Sequence, residues 1–273
     1  QSIIEEIVRR AVEEDLGTGD VTTKAIVPSG TKATAEMIAK EDFVLAGMDV
    51  VRETFRCIDP ALRLTVRAED GERVEKGRAF VRIEGEAASI LKGERTALNF
   101  LQHLSGVATL TASFVDRVAG LPVHIMDTRK TLPGLRLLEK YAVRTGGGTN
   151  HRTGLYDAVL IKDNHIAVAG GIAAAVQRVR KQWERPIEVE VTDLREVEEA
   201  LSVHADILLL DNMDLATLRA AVEFVRHRAK TEASGNVSLE NVRAVAETGV
   251  DRISIGALTH SVRAVDISLK ITF

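Results

Sequence analysis

Cysteine is almost missing from this chain. Cys57 is the single one in 273 residues, so no internal disulfide forms and cysteine-based zinc sites are excluded. A reducing compartment is expected, and with it a cytoplasmic location. No run of about 18 apolar residues occurs, so no membrane-spanning helix is expected. The first residues, QSIIEEIVRR, are acidic and helical in pattern, unlike the basic start and apolar stretch of a secretory leader. Positive charge is not in excess: 36 Lys and Arg stand against 40 Asp and Glu, a net charge of −4, which argues against a general nucleic-acid binder. Neither GxxxxGK[ST] nor GxGxxG appears, leaving P-loop and dinucleotide-binding folds without support.

What is present is ordinary core material. Hydrophobic residues make up 45% and charged residues 28%, close to the globular average, and the length suits about two domains. Ile3, Ile4, Ile7, Val8, Ala11 and Val12 form one stripe at helical spacing, with Ser2 and Glu5 placed as a capping box and Gly17 as a stop. Between residues 33 and 84, short β-like runs (ATAEMIA, LRLTVRA, FVRIEG) are separated by turn pairs such as Asp70-Gly71 and Lys76-Gly77, with one short helix expected at 49–57. This half reads as a small α+β domain. Its stretch 71–77 resembles half of a biotinyl or lipoyl carrier hairpin. A carrier needs a tip lysine in Met-Lys-Met or Asp-Lys-Ala, and neither occurs, so a plain hairpin is the better reading.

From residue 94 the pattern changes. Residues 94–119 read as helix, broken near Gly106. Apolar, mostly β-branched runs then recur at 123–126, 158–161, 187–191, 207–210 and 252–255, with a weaker one at 230–233. Helical segments at 193–201, 214–228 and 238–248 lie between them, and Asp193 with Glu196 is spaced as a second capping box. Strands alternating with helices give βα units and a parallel sheet. Six such units suit a barrel, with a doubly wound open sheet as the alternative.

Polar groups gather where these strands end. The runs lead into Asp127-Thr128-Arg129-Lys130, Lys162-Asp163-Asn164-His165, Asp211-Asn212, Ser234-Gly235-Asn236 and Gly256-Ala257, while Glu188 and Glu190 share one face of the third. In α/β barrels the C-terminal strand ends form the active face. Between 127 and 165 Arg and Lys number seven against four Asp and Glu, and His151 and His165 add to them. An anionic small molecule held by Arg, Lys and His is expected. Glu190 and Asp211 face it, suited to a divalent metal or sugar hydroxyls, and the glycine-containing ends offer N–H groups to phosphate. Together these suggest transfer chemistry on a phosphorylated sugar. Arg136, Lys140 and Arg144 recur every four residues and read as a solvated helix face. Glu188 is expected to pair with a lysine, and Arg95 reads as a surface arginine.

The segments GERTALNFLQHLSGVAT (93–109), DTRKTLPGLRLLEKYAVRTGGGTNHRTGLYD (127–157), IKDNH (161–165), EVEV (188–191), LLLDNM (208–213), EASGN (232–236) and GVDRISIGALTHS (249–261), with EDLGTGDVTT (14–23), carry more than local chemistry. Together they resemble the quinolinate phosphoribosyltransferase family along the whole chain. The resemblance implies an N-terminal α/β sandwich over 1–104, rejoined by a C-terminal strand at 266–273, and an open seven-stranded α/β barrel over 105–265. It implies a homodimer, or a multiple of it, in which Arg95 reaches the partner's site. Thr128, Arg129, Lys130, His151, Arg152 and Lys162 then surround the two carboxylates of quinolinate and nearby phosphate. Glu190 and Asp211 face the ribose and Mg²⁺ of phosphoribosyl pyrophosphate, and with Lys130 and Lys162 are the expected catalytic groups. Ser234, Gly235, Asn236, Ile255, Gly256 and Ala257 hold the 5′-phosphate. His103 stands where many relatives carry arginine. Competing readings are nicotinate as the acceptor, a Schiff-base lyase using Lys130 or Lys162, and a non-catalytic carrier.

Overall fold

The structure is a computed structural model and describes residues 3–273. The expected capping box depends on Ser2, which lies outside the described residues. In chain order come α1 (Ile3–Leu16), α2 (Val21–Ile26), β1 (Lys32–Ala39), β2 (Phe43–Val44), α3 (Met48–Ile58), β3 (Arg63–Val66), β4 (Arg73–Val74), β5 (Ala79–Glu86) and the long α4 (Ala87–Arg117). Strands and helices then alternate: β6 (His124–Met126), α5 (Arg136–Thr145), β7 (Val159–Ile161), α6 (Asp163–Ala169), α7 (Ile172–Arg180), β8 (Ile187–Val191), α8 (Leu194–Ser202), β9 (Ile207–Asp211) and α9 (Leu215–Val225). The chain closes with β10 (Lys230–Ser234), α10 (Val242–Ala246), β11 (Arg252–Ser254), α11 (Ala257–His260) and β12 (Ile267–Thr272).

The chain divides into two compact units. The first takes the described chain through Leu110, Leu132–Gly146 and Ser261–Phe273; the second takes Thr111–Thr131 and Gly147–His260. The first unit is built on an antiparallel sheet of order β12-β1-β5-β3. Strict alternation drives it: Ala33, Ala35, Met37 and Ala39 of β1 are buried, and the residues between them are not. The expected C-terminal strand returns here, with Met37 opposite Leu269 on one side and Val81 on the other. Phe55 of α3 and Leu98 and Leu101 of α4 join Phe80 and Ile83 in the core.

Two details of this unit depart from the pattern in the sequence. The helix expected to break at Gly106 runs unbroken from Ala87 to Arg117. Gly106 serves packing instead: a Cβ built there would stand 2.4 Å from the Arg263 carbonyl oxygen. The spacing in α5 predicts a solvated cationic face, yet Lys140 is buried and only Arg144 of the three is exposed. The helix is packed on a broad arc with Leu138, Glu139, Ala142 and Val143 buried. It is tied to this unit by polar contacts: Tyr141 Oη donates to Asp70 Oδ2 at 2.6 Å, and Glu139 accepts from the Leu132 N–H and faces His103 Nε2 at 2.7 Å. Burial and the Asp70 carboxylate push the Tyr141 phenol up to about 12. Asp70, the expected turn residue, also accepts the N–H groups of Gly47 and Met48, capping α3 where Gly47 has no side chain to do so.

The second unit holds a fully parallel sheet of order β6-β11-β10-β9-β8-β7. Six strands stand where seven were implied. The seventh position is filled by one parallel bridge, Thr149 against Met126 at the outer side of β6. Gly146-Gly147-Gly148 precedes it, and glycine has no side chain to hold a strand. The helices α8 and α9 bury a stripe at helical spacing, Val197, Ala200 and Leu201 of the first and Leu218, Ala221 and Val225 of the second. Asp193 caps α8 by accepting from the N–H groups of Arg195 and Glu196, but Glu196 answers to Thr192 N rather than to the cap residue. The helix expected at 238–248 is shorter, Val242–Ala246.

Because Gly106 sits against backbone that has no rotamer to yield, Gly106→Ala should cost about 1–3 kcal/mol of stability. The check is the urea midpoint of the variant; an unchanged midpoint would show that the 261–273 segment gives way freely.

Candidate active site

The register of the parallel strands places their C-terminal ends side by side. Met126 pairs with Ser254, Ser254 and Asp211 with Ser234, Leu210 with Val191, and Val189 with Ile161. A cavity of about 800 Å³ opens there, wholly within the second unit. Thr128, Arg129, Lys130, His151, Arg152, Lys162, Glu190, Asp211, Ser234, Gly235, Asn236, Ile255, Gly256 and Ala257 all line it. Among the residues expected at the site, Arg95 stands apart: it is exposed on α4, in the first unit.

The cationic side is assembled from three strand ends. Lys130 is fixed through its carbonyl, which accepts from Thr259 Oγ1 at 2.7 Å. Asp127, fully buried at the end of β6, accepts the His151 N–H at 2.8 Å and so pins the loop that carries His151 and Arg152. Asp157 braces the same loop through the N–H groups of Thr153 and Gly154; burial works against its charge, and these bonds outweigh it and hold the carboxyl below its ordinary range. Burial first, and then the Arg129 guanidinium, lower the affinity of Arg152 for its proton. Two guanidiniums held this close form a site for an anion.

The anionic side consists of Glu190 and Asp211. Glu190 Oε2 lies 3.2 Å from Lys162 Nζ, and the Lys162 side chain is 47% exposed. Asp211 Oδ2 accepts from Asn212 Nδ2 at 2.7 Å. Between the ends of β9 and β10 the backbone is shaped for close approach. Gly235 has φ +96°, and a Cβ there would stand 2.1 Å from Asn212 Oδ1. Asn212 N donates to the Ser234 carbonyl, and Asn236 Nδ2 to Asn212 Oδ1. Glycine alone fits between these groups.

At the wall of the cavity the structure reveals a cluster that sequence reasoning missed. Glu188 and Glu232 are buried, and both approach His151: Nε2 lies 3.0 Å from Glu188 Oε2 and 3.5 Å from Glu232 Oε1. Glu188 thus pairs with histidine, not with the lysine expected. A signal was present: Glu188 and Glu232 each precede a cavity residue, Glu190 and Ser234, by two positions on a strand and so share its face. Burial, and then the charge of Glu188, push Glu232 up to about 7, against the weaker opposing pull of Ser254 and Arg252.

Glu232 therefore keeps its proton to higher pH when folded than when unfolded. Folding is most favoured below the ordinary value of 4.5 and is penalised progressively as pH rises towards 7. Glu232→Gln, uncharged at every pH, should gain on the parent across that window, by on the order of 3 kcal/mol at about pH 8. Urea midpoints of both proteins from acid to neutral pH test this; a constant gap between them would contradict it.

Comparison with known proteins places the chain among relatives. The family model described as "Quinolinate phosphoribosyl transferase, N-terminal domain" matches residues 20–105, and that of the C-terminal domain matches residues 107–270. A nicotinate-nucleotide pyrophosphorylase [carboxylating] of Mycobacterium leprae is 46% identical over 97% of this chain and 95% of its own. A chloroplastic protein of the same name from Arabidopsis thaliana is also 46% identical, over 97% of this chain and 82% of its own. The crystal structure of nicotinate-nucleotide pyrophosphorylase from Ehrlichia chaffeensis superposes with a TM-score of 0.95 at 43% identity, covering 98% of both chains. With both domain models matched in order and the cavity residues gathered at one rim, the chain belongs to the quinolinate phosphoribosyltransferase family.

Proposed function

We propose that this chain transfers the phosphoribosyl group of phosphoribosyl pyrophosphate to quinolinate and releases a carboxyl group as CO₂, yielding nicotinate mononucleotide and pyrophosphate in NAD biosynthesis. One observation carries the reading: Arg129, Lys130, Arg152 and Lys162, with His151, converge on the cavity opposite Glu190 and Asp211. A dicarboxylate acceptor needs several cations. Each pair at about 4 Å contributes about 4 kcal/mol at an effective dielectric near 20, before desolvation.

The ring nitrogen of the acceptor attacks C1 of the ribose and pyrophosphate leaves. Positive charge grows on the sugar, and Glu190 and Asp211 stabilise it. Once the nitrogen is quaternary, the ring withdraws electrons from the adjacent carbon. The C–COO⁻ bond there breaks, CO₂ departs, and the carbon takes up one proton. The backbone at Ser234, Gly235 and Asn236 and at Ile255, Gly256 and Ala257 receives the 5′-phosphate. Glu190 and Asp211 offer hard oxygen donors within the cavity and fit Mg²⁺. When bound, the ion would neutralise the departing pyrophosphate. Lys162 is half exposed and paired with Glu190, without the desolvated setting of a Schiff-base nucleophile.

A homodimer, or a multiple of it, is part of the same reading. Leu155, Tyr156 and Val168 are 72%, 74% and 86% exposed, apolar surface that a second copy would cover. Arg95, exposed on α4, is the group to enter the partner's site. A cytoplasmic location accords with the lone exposed Cys57.

Protein, Mg²⁺ and phosphoribosyl pyrophosphate with quinolinate should give mononucleotide and CO₂, and nicotinate should not replace quinolinate. Turnover with nicotinate alone would reassign the acceptor pocket. Arg152→Ala should lower kcat/KM for quinolinate by about 100-fold or more; near-parental activity would overturn the pocket assignment. Arg95→Ala and Lys162→Ala, each inactive alone, should regain activity when mixed. Failure despite demonstrated subunit exchange would refute a shared site.

A further inference from the structure

Both ring nitrogens of His151 are engaged within the protein. Nδ1 accepts the Arg152 backbone N–H at 2.7 Å, so Nδ1 carries no hydrogen. Nε2 faces two carboxyl oxygens, Glu188 Oε2 at 3.0 Å and Glu232 Oε1 at 3.5 Å. Acceptors on that side require the hydrogen on Nε2. The two contacts together make the ring neutral. An imidazolium would set a second N–H against that of Arg152. A metal ion held by these three side chains, whose ligand atoms lie within 4.8 Å of one another, would need the lone pair of Nε2 as well. With Nδ1 already an acceptor, the ring would then be an imidazolate.

Two carboxylates facing one N–H are an acceptor excess. Glu188 Oε1 and both Glu232 oxygens are buried without a hydrogen-bond partner. Around Glu232 stand Glu188 on β8, His151 on the loop, and Arg252 at 4.0 Å with Ser254 on β11; Leu209 is its neighbour on β9. One buried carboxyl becomes an acid because a second negative charge this deep has too little to offset it.

We propose that Glu188 and Glu232 are positioning residues of the acceptor pocket: Glu188 takes the Nε2 hydrogen of a neutral His151, Glu232 stands beside it as the uncharged acid, and the imidazole so held fixes the backbone of Arg152. His151 then contributes shape and orientation, and the charge for the acceptor comes from Arg129, Lys130, Arg152 and Lys162. The kinetic consequence rests on the reading of the site as a quinolinate pocket. Ionisation of Glu232 places a further negative charge in the wall of a pocket built for an anion, so KM for quinolinate should rise on the alkaline side while kcat changes little.

Two measurements test this. In the folded protein with ¹⁵N-labelled histidine, long-range ¹H–¹⁵N spectra give the protonation of each ring, and His151→Asn identifies the signal of interest. A neutral ring with its hydrogen on Nε2 is expected throughout about pH 6–8. An imidazolium, an Nδ1–H ring, or a stoichiometric metal ion that moves the signal would overturn the proposal. In steady-state kinetics at about pH 7, Glu232→Ala should raise KM for quinolinate about tenfold. Glu232→Gln should recover most of that loss and remove the alkaline rise of KM. An E232Q protein that keeps the parental alkaline rise, or an E232A protein that loses kcat alone, would overturn it. If quinolinate is not a substrate at all, the reading of function fails, and the histidine spectrum still decides the positioning role.

Discussion

Parallel pairing in register from β6 to β7 is the constraint on which the site depends. A parallel strand pair fixes not only which strands are neighbours but which ends meet. Here that brings Met126, Ser254, Ser234, Asp211, Val191 and Ile161 to one rim. Residues as far apart in the chain as Thr128 and Ala257 thus share one cavity. A slip of one residue in any pair would send Glu190 or Ser234 to the opposite face of the sheet.

Along a strand the period of two then sets which groups share a face. On β8, Glu190 lines the cavity and Glu188, two residues earlier on the same face, is buried outside the lining; on β10, Ser234 and the fully buried Glu232 both line the cavity. Charge at the rim faces the cavity. The same residue type when buried loses its hydration and must find a proton or a partner. His151 lines the cavity while its Nε2 faces the buried acids. Asp127, just past the end of β6, accepts the His151 N–H.

Much of this arrangement can be read from the chain. Alternation in ATAEMIA appears directly as the buried face of β1, because a strand's side chains alternate whatever it packs against. The strand-end clusters 127–130, 162–163, 211–212 and 234–236 mark the rim by themselves, since polar groups there interrupt otherwise apolar runs. Less was legible where the reason for a residue lies in a distant segment. Gly106 looks like a helix breaker, and its function is to admit the Arg263 carbonyl. Lys140 looks solvated by spacing, and the packing of α5 buries it. Thr149 forms a single bridge instead of a strand, since the three glycines before it supply nothing to extend one.

The sequence by itself determined the alternation of strands and helices, the family, and many of the polar groups lining the cavity. These follow from local periodicity and from motifs contiguous in the chain. Only the tertiary structure decided which acids are buried, that Glu188 meets His151, and that Glu232 keeps its proton to higher pH. Those properties depend on desolvation and on distances between β8, β10 and the loop after Thr149, and no stretch of sequence contains a distance.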